Sequence, residues 1–304
     1  MKYKTALLAI MIFCLSEQLF AQCACIGGAP VGSLSMIGGT TNVGILRVGN
    51  IRASSFYSYS NGEEYYSGTT AIDTGSVKNY QSQYLGFLIG YGVTDKFTID
   101  WEIGSYVNKT QDFGEYALSG SGFSHTTLYG KYNIVASRAK KMEWTVGVGA
   151  KIPLNFVEQN LPQHIQSSTG AFGGVLLSYL HKGFDAEGLH LFLINRADWN
   201  AENSTTYQYG TSFTNSLFIT KSIVPNLVGM LELRSDIRLN DHKYQKVLTD
   251  TGWNLFVLSP QLNYSIRNFN FSIFYDIPVY KNYNGAQLTN KQTFGASLTW
   301  QANL

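Results

Sequence analysis

The sequence has few charged residues and few prolines. Of its 304 residues, only 14% are Asp, Glu, Lys or Arg and six are proline, whereas soluble domains carry about 25% charged residues. The formal net charge of +2 excludes the strongly basic surface that nucleic-acid binding requires. The abundant residues are instead 30 Gly, 20 Tyr and 18 Phe. Because aromatic residues favour pleated strands, this composition predicts an all-β protein.

Long apolar runs are also missing. Beyond the N-terminus no stretch reaches the roughly 18 uncharged apolar residues that a transmembrane helix needs. The N-terminus begins with Lys2 and Lys4, continues with an apolar run over residues 6–15, and has Leu19-Phe20-Ala21 ahead of Gln22. That order is typical of a secretory signal peptide. We therefore expect a signal peptide over residues 1–21, a Gly-rich leader over 22–44 and one main domain over 45–304.

Cysteine is scarce, with three residues in the whole chain. Cys14 lies in the predicted signal peptide, and Cys23 and Cys25 lie at the start of the leader. A Cys-x-Cys pair can bind a soft metal such as Cu(I). In an oxidising compartment it can equally form disulfides that tether the chain. Both alternatives stay open, and the sequence predicts no cofactor.

The main domain consists of segments of roughly 10 to 14 residues in which apolar and polar side chains alternate, as in strands with one face in lipid and one in water. In the clearest segment the apolar positions are Leu227, Leu231, Leu233, Ile237 and Leu239. The positions between them include Glu232, Arg234, Asp236 and Arg238. About twelve strands follow, at residues 45–59, 80–93, 97–107, 121–135, 142–153, 168–181, 188–200, 206–220, 227–239, 253–266, 269–279 and 292–300. The strands near 168 and 206 alternate poorly.

The connections alternate in length. Links after even-numbered strands are short, such as 94–96, 224–226 and 267–268, whereas most links after odd-numbered strands are long, such as 60–79 and 240–252. Outer-membrane barrels have short periplasmic turns and longer outer loops. The sequence therefore predicts an antiparallel, up-and-down transmembrane β-barrel in the outer membrane of a Gram-negative bacterium, with both termini in the periplasm. We expect a monomer whose partners are membrane lipid, the barrel-assembly machinery and a small solute.

Four phrases resemble the outer-membrane family named after the meta pathway of phenol degradation, which is broadly similar to long-chain fatty-acid transporters. They are YGVTDKFTI at 91–99, VGVGAKIP at 146–153, LSPQLNY at 258–264 and IPVYKNYNGAQL at 277–288. The leader with its two cysteines resembles that of Bacteroidetes-type members. The resemblance implies a barrel that passes small hydrophobic or aromatic compounds. It transfers no catalytic residues.

The alternation places eleven charged side chains on the inner face of the barrel, because a Lys or Arg near the lipid midplane would cost about 2–4 kcal/mol. They are Asp100, Glu102, Lys131, Lys151, Arg196, Asp198, Glu232, Arg234, Asp236, Arg238 and Asp276. Their mixed signs suggest cross-strand pairs that brace the wall; a ring that selects the solute is the alternative. Inner-face glycines would leave room for a plug or a ligand.

The sequence has no recognisable catalytic motif. The five histidines are scattered without the spacing of a metalloprotease or a hydrolase, and no phosphate-binding loop occurs. We therefore expect no enzyme but a channel for passive movement of small solutes. One alternative is a closed structural barrel whose loop 60–79 binds at the surface, and another is an outer-membrane hydrolase.

Overall fold

The computed structural model describes residues 44–72, 78–137, 139–158, 161–163, 165–184 and 189–303. The expected signal peptide and residues 22–43 of the expected leader lie outside these ranges. Among the described residues, no helix is long and apolar enough to cross a membrane.

Twelve antiparallel strands form a closed barrel, which confirms the fold class and the strand number expected from the sequence. The strands are β1 Asn50–Gly62, β2 Asn79–Thr94, β3 Phe97–Asp112, β4 Ala117–Ser137, β5 Met142–Pro153, β6 Gly173–Gly183, β7 His190–Asn200, β8 Ser212–Val224, β9 Leu227–Arg238, β10 Trp253–Ile266, β11 Phe269–Thr289 and β12 Gln292–Asn303. Each strand pairs with its neighbours in the chain. The pairing of β1 with β12, from Asn50↔Asn303 to Asn61↔Gln292, closes the wall.

Three predicted strands begin markedly later than expected, and the first of them is β1, which begins at Asn50 rather than at 45. β6 begins at Gly173 rather than at 168, because the preceding residues fold into the barrel, where Ile165 and Ala171 are buried. β8 begins at Ser212 rather than at 206, because Tyr207–Gln208 pairs with Asp241–Lys243 in a separate small sheet. That sheet is completed by Lys246–Leu248.

The strand predicted at 269–279 is too short. β11 continues to Thr289 rather than ending at 279, because its distal part pairs with Glu64–Gly68 after a register shift. Glu64–Gly68 in turn pairs with Thr70–Ile72. These pairings extend the sheet beyond the rim of the closed barrel.

The two faces of the wall differ in polarity. On β9 the side chains of Leu231 and Leu233 are exposed on the outer face, whereas those of Glu232 and Arg234, at the alternate positions, are buried. The same alternation places Phe87, Ile89 and Tyr91 of β2 outside. An apolar outer band with a polar interior is the arrangement of a barrel in lipid.

The two ends of the barrel differ in their connections. One end, the short-turn end, has tight turns such as 225–226 and 267–268, where Asn226 and Arg267 have φ of 67° and 52°. The opposite, long-loop end carries residues 154–172, residues 239–252 and the extensions of β3, β4 and β11. This asymmetry agrees with the alternating link lengths of the sequence.

The inner-face glycines make room for neighbouring side chains, not only for a plug or a ligand. A Cβ at Gly86 would lie 1.9 Å from Cζ of Phe56, and one at Gly104 would lie 1.4 Å from the hydroxyl oxygen of Tyr84. Phe56, Tyr84 and Tyr106 form a buried aromatic cluster. Glycine at these positions therefore lets large rings lie flat across the adjacent strand.

Candidate functional site

All eleven charged residues predicted to face the lumen are buried inside the barrel. Their exposed fractions range from 1% for Lys131 to 9% for Arg238. The structure distributes them among four clusters along the inner wall, and most of their contacts cross between strands. Several partners come from residues that the sequence did not single out.

The first cluster is centred on Arg196. Its guanidinium donates to both carboxylate oxygens of Asp198, at 2.6 and 2.9 Å, and lies 3.6 Å from Glu102. Lys151 lies 3.8 Å from Asp198, and the Tyr129 hydroxyl donates to Glu102 at 2.7 Å. Two cations therefore face two carboxylates, and the cluster is electrically balanced.

The second cluster has an excess of carboxylates. Arg234 donates to Glu232 at 3.2 Å, to Asp236 at 3.0 Å and to Asp276 of β11 at 2.9 Å. Glu232 also accepts hydrogen bonds from Ser216 and Gln261. A single guanidinium thus holds three buried carboxylates together across β9 and β11.

The third cluster fixes the chain that precedes β1. Lys131 lies 2.6 Å from Asp100, and Arg52, which the sequence analysis missed, lies 3.6 Å from the same carboxylate. Lys131 also donates to the carbonyl oxygen of Gly44 at 3.0 Å. The backbone N–H of Leu46 donates to Thr98 at 2.7 Å, and Leu46 is buried. Residues 44–46 therefore lie inside the barrel, near its short-turn end, whereas Arg47 and Val48, which lead into β1, are exposed.

The fourth cluster lies at the long-loop end. Asp241 accepts hydrogen bonds from Arg238 and from the Tyr207 hydroxyl. The Arg238 guanidinium lies 4.8 Å from the ring centroid of Trp253 and 5.2 Å from that of Tyr209. Burial, together with the hydrogen bond to Asp241, raises the pKa of Tyr207 well above its ordinary value. Tyr207 is therefore a neutral donor that fixes this carboxylate.

Residues 165–171 fold into the interior rather than outward, and all of them except Gly170 are buried. Lys109 donates to the carbonyl oxygen of Gln166 at 3.1 Å. Thr169 is hydrogen-bonded to His125 at 2.7 Å, and its carbonyl oxygen accepts from Asn203 at 2.9 Å. The sequence showed only poor alternation near 168 and gave no sign that this segment constricts the barrel.

A cavity of about 400 Å³ opens at the long-loop end, between the inward segment and the wall. Tyrosine and serine are the most frequent residues of its lining, and the tyrosines are Tyr65, Tyr80, Tyr84, Tyr106, Tyr207, Tyr209 and Tyr283. Lys109 and Arg238 are the cations that face it. Pockets of this size, with aromatic walls and a few polar groups, are typical of small-molecule sites.

The interior also has an apolar patch that the sequence analysis missed. It consists of Leu177, Tyr179, Phe192, Ile194, Phe218 and Met230, on the inner faces of β6 to β9. On β6 and β8, which carry Leu177, Tyr179 and Phe218 of this patch, both faces are apolar, and this explains their poor alternation in the sequence.

The described histidines do not form a group of metal ligands. His181 and His190 stack, with Nε2 of the first 2.9 Å from Nδ1 of the second. His125 contacts Ser124 and Thr169, and His164 lies outside the described residues. Within the described ranges, no three His, Cys, Asp or Glu side chains are grouped to hold a metal ion.

No protein-family model and no curated protein sequence matches the chain. Solved structures do match. An outer-membrane channel from Pseudomonas putida F1 superposes with a TM-score of 0.70 at 12% identity, over 84% of this chain and 97% of that chain. The translocator domain of the autotransporter NalP from Neisseria meningitidis gives 0.45 at 9% identity, over 84% and 89%. A FadL homologue from Pseudomonas aeruginosa gives 0.42 at 10% identity, over 83% and 90%. At such identities the likeness concerns the fold alone, and the first superposition shows that this chain has the fold of an outer-membrane β-barrel.

Proposed function

We propose that the protein is a monomeric outer-membrane channel that lets small solutes move passively across the membrane. The observation that carries this proposal is the cavity of about 400 Å³, bounded by tyrosines and buried charges, inside a barrel with an apolar outer face. The fold shared with the Pseudomonas putida channel supports it. In this proposal the short-turn end and both termini are periplasmic, the outer face contacts lipid, and the barrel-assembly machinery inserts the chain.

We further propose that the leader plugs the lumen of the barrel. Gly44 and Leu46, the first described residues, are already hydrogen-bonded inside the barrel to Lys131 and Thr98. Because residues 44–46 already lie in the lumen, the proposal places the preceding residues 22–43 in the lumen as well. The channel would then be narrowest near the short-turn end.

A closed structural barrel is the second candidate, and one observation favours it. The clusters around Arg196 and Arg234 consist of side chains that are already paired with one another, and such pairs brace a wall without any need for a solute. Solute flux separates the two candidates.

Liposome swelling tests the proposal. Liposomes containing the folded full chain are expected to swell in isotonic solutions of small solutes faster than protein-free liposomes, because a water-filled path admits the solute. The rate should fall as solute size increases. Swelling no faster than in liposomes with heat-unfolded protein would favour the closed barrel.

A further inference from the structure

Lys109 is a buried cation that lacks a carboxylate partner. Its side chain is 4% exposed, and its Nζ contacts the Gln166 carbonyl oxygen and the ring of Tyr106, 4.8 Å from the centroid. Within the described ranges no carboxylate forms an ion pair with it. An ammonium has three N–H donors, and the carbonyl uses one. The remaining N–H donors of this buried side chain therefore face the cavity.

The other charged side chains that line the cavity each have a partner of opposite charge or are exposed. Arg238 is paired with Asp241, and Asp236 is held by Arg234. Asp250 lines the rim but lies in an exposed loop. Burying an unpaired ammonium is costly, and an anion bound at Lys109 would remove that cost; one ammonium matches one negative charge. A dianionic phosphate would leave a second charge without a partner.

The walls next to Lys109 are aromatic. Tyr84 and Tyr106 meet edge to face with ring centroids 5.0 Å apart, and Tyr65 lines the same cavity. Aromatic rings prefer offset-stacked or edge-to-face neighbours. The surface beside the ammonium therefore suits a flat apolar body attached to the anion.

We propose that the cavity selects small aromatic monocarboxylates, with the carboxylate on Lys109 Nζ and the ring against Tyr84 and Tyr106. The proposal rests on the proposed channel function and names its solute class. A charge-assisted hydrogen bond to the carboxylate supplies selectivity that a neutral analogue cannot obtain. Gln166, which contacts the same ammonium, places the inward segment next to the bound anion.

Binding to the full chain in detergent tests this inference, with benzoate as the probe and benzyl alcohol as its neutral counterpart. Fluorescence of Trp253, which lines the cavity, or calorimetry reports the affinity. We expect benzoate to bind at least tenfold more tightly than benzyl alcohol. Lys109→Met should abolish that preference without changing the affinity for benzyl alcohol, and Lys109→Arg should retain it. Lys291→Met, which removes an exposed ion pair with Glu63, should leave both affinities unchanged.

Equal affinities of the wild-type chain for the two probes would overturn the inference, as would undiminished benzoate binding by folded Lys109→Met. If Lys109→Met does not fold, the inference is tested by the wild-type preference for benzoate over benzyl alcohol and by its retention in Lys109→Arg; loss of either overturns it. Swelling with neutral solutes keeps the two proposals separate. Flux without a preference for benzoate refutes only the solute class, whereas benzoate binding without flux refutes only the channel.

Discussion

Arg234→Leu is expected to lower the free energy of unfolding of the barrel by about 3–5 kcal/mol, the usual cost of removing one partner from a buried ion-pair cluster. Arg234 is the common partner of Glu232, Asp236 and Asp276, all of which are buried. Without the guanidinium, three carboxylates would face one another out of contact with water. Urea unfolding of the folded protein in detergent, followed by the heat-dependent shift on a gel, measures the loss.

Two further variants show whether burial and charge cause the effect. Lys291→Met removes an ion pair of similar length, 2.7 Å, whose side chains are more than half exposed, and should lower the stability far less, because water screens exposed ion pairs. Adding Asp276→Asn to Arg234→Leu should recover part of the loss, because one uncompensated charge is removed. A loss from Arg234→Leu as small as that from Lys291→Met would contradict the bracing role of this cluster.

Deleting residues 24–41 is expected to raise the single-channel conductance. Leu46 and Gly44 are fixed to the inner wall, and under the proposed plug the segment before them would obstruct the lumen. The stability of the barrel should hardly change, because the hydrogen-bond ladder from β1 to β12 does not include the leader. Recording the deleted and full-length chains side by side in planar bilayers measures the difference.

The cysteines of the leader provide the control for this deletion. Replacing Cys23 and Cys25 with serine should leave the conductance unchanged if the leader acts as a plug, because its bulk remains. If the leader is instead a tether or a copper site, the deletion should leave conductance as it was and abolish copper or partner binding. Unchanged conductance in an already open wild-type channel would refute the plug.

The strand number and the inward direction of the charges follow from alternation, because a strand with one face in lipid must exclude charge from that face. This is why Leu233 and Arg234 fall on opposite faces as their positions in the sequence imply. Alternation fails where the lumen itself is apolar. Phe192 and Phe218 are buried inside the barrel, and their neighbours Leu193 and Leu217 are exposed outside, so no pattern separates the two faces.

The inward segment and the cavity could not be predicted, because they depend on contacts between residues far apart in the chain. Lys109 meets Gln166 across 57 positions, and Tyr207 meets Asp241 across 34. Arg52 was missed for a different reason. Its strand, β1, is rich in serine, which occurs on both faces, as at Ser54 and Ser55, so a single Arg does not reveal which face points inward. Contacts between distant residues determine where these side chains lie, and local sequence patterns carry no information about such contacts.

The most direct test of the channel is a planar-bilayer recording of the folded full chain and of the chain lacking residues 24–41. We predict discrete current steps from at least the deleted chain, with larger steps than any produced by the full chain. Protein heated until it loses its folded mobility on a gel should produce none. If neither folded protein produces current steps at densities at which a known porin conducts, the proposal that this barrel is a channel is contradicted.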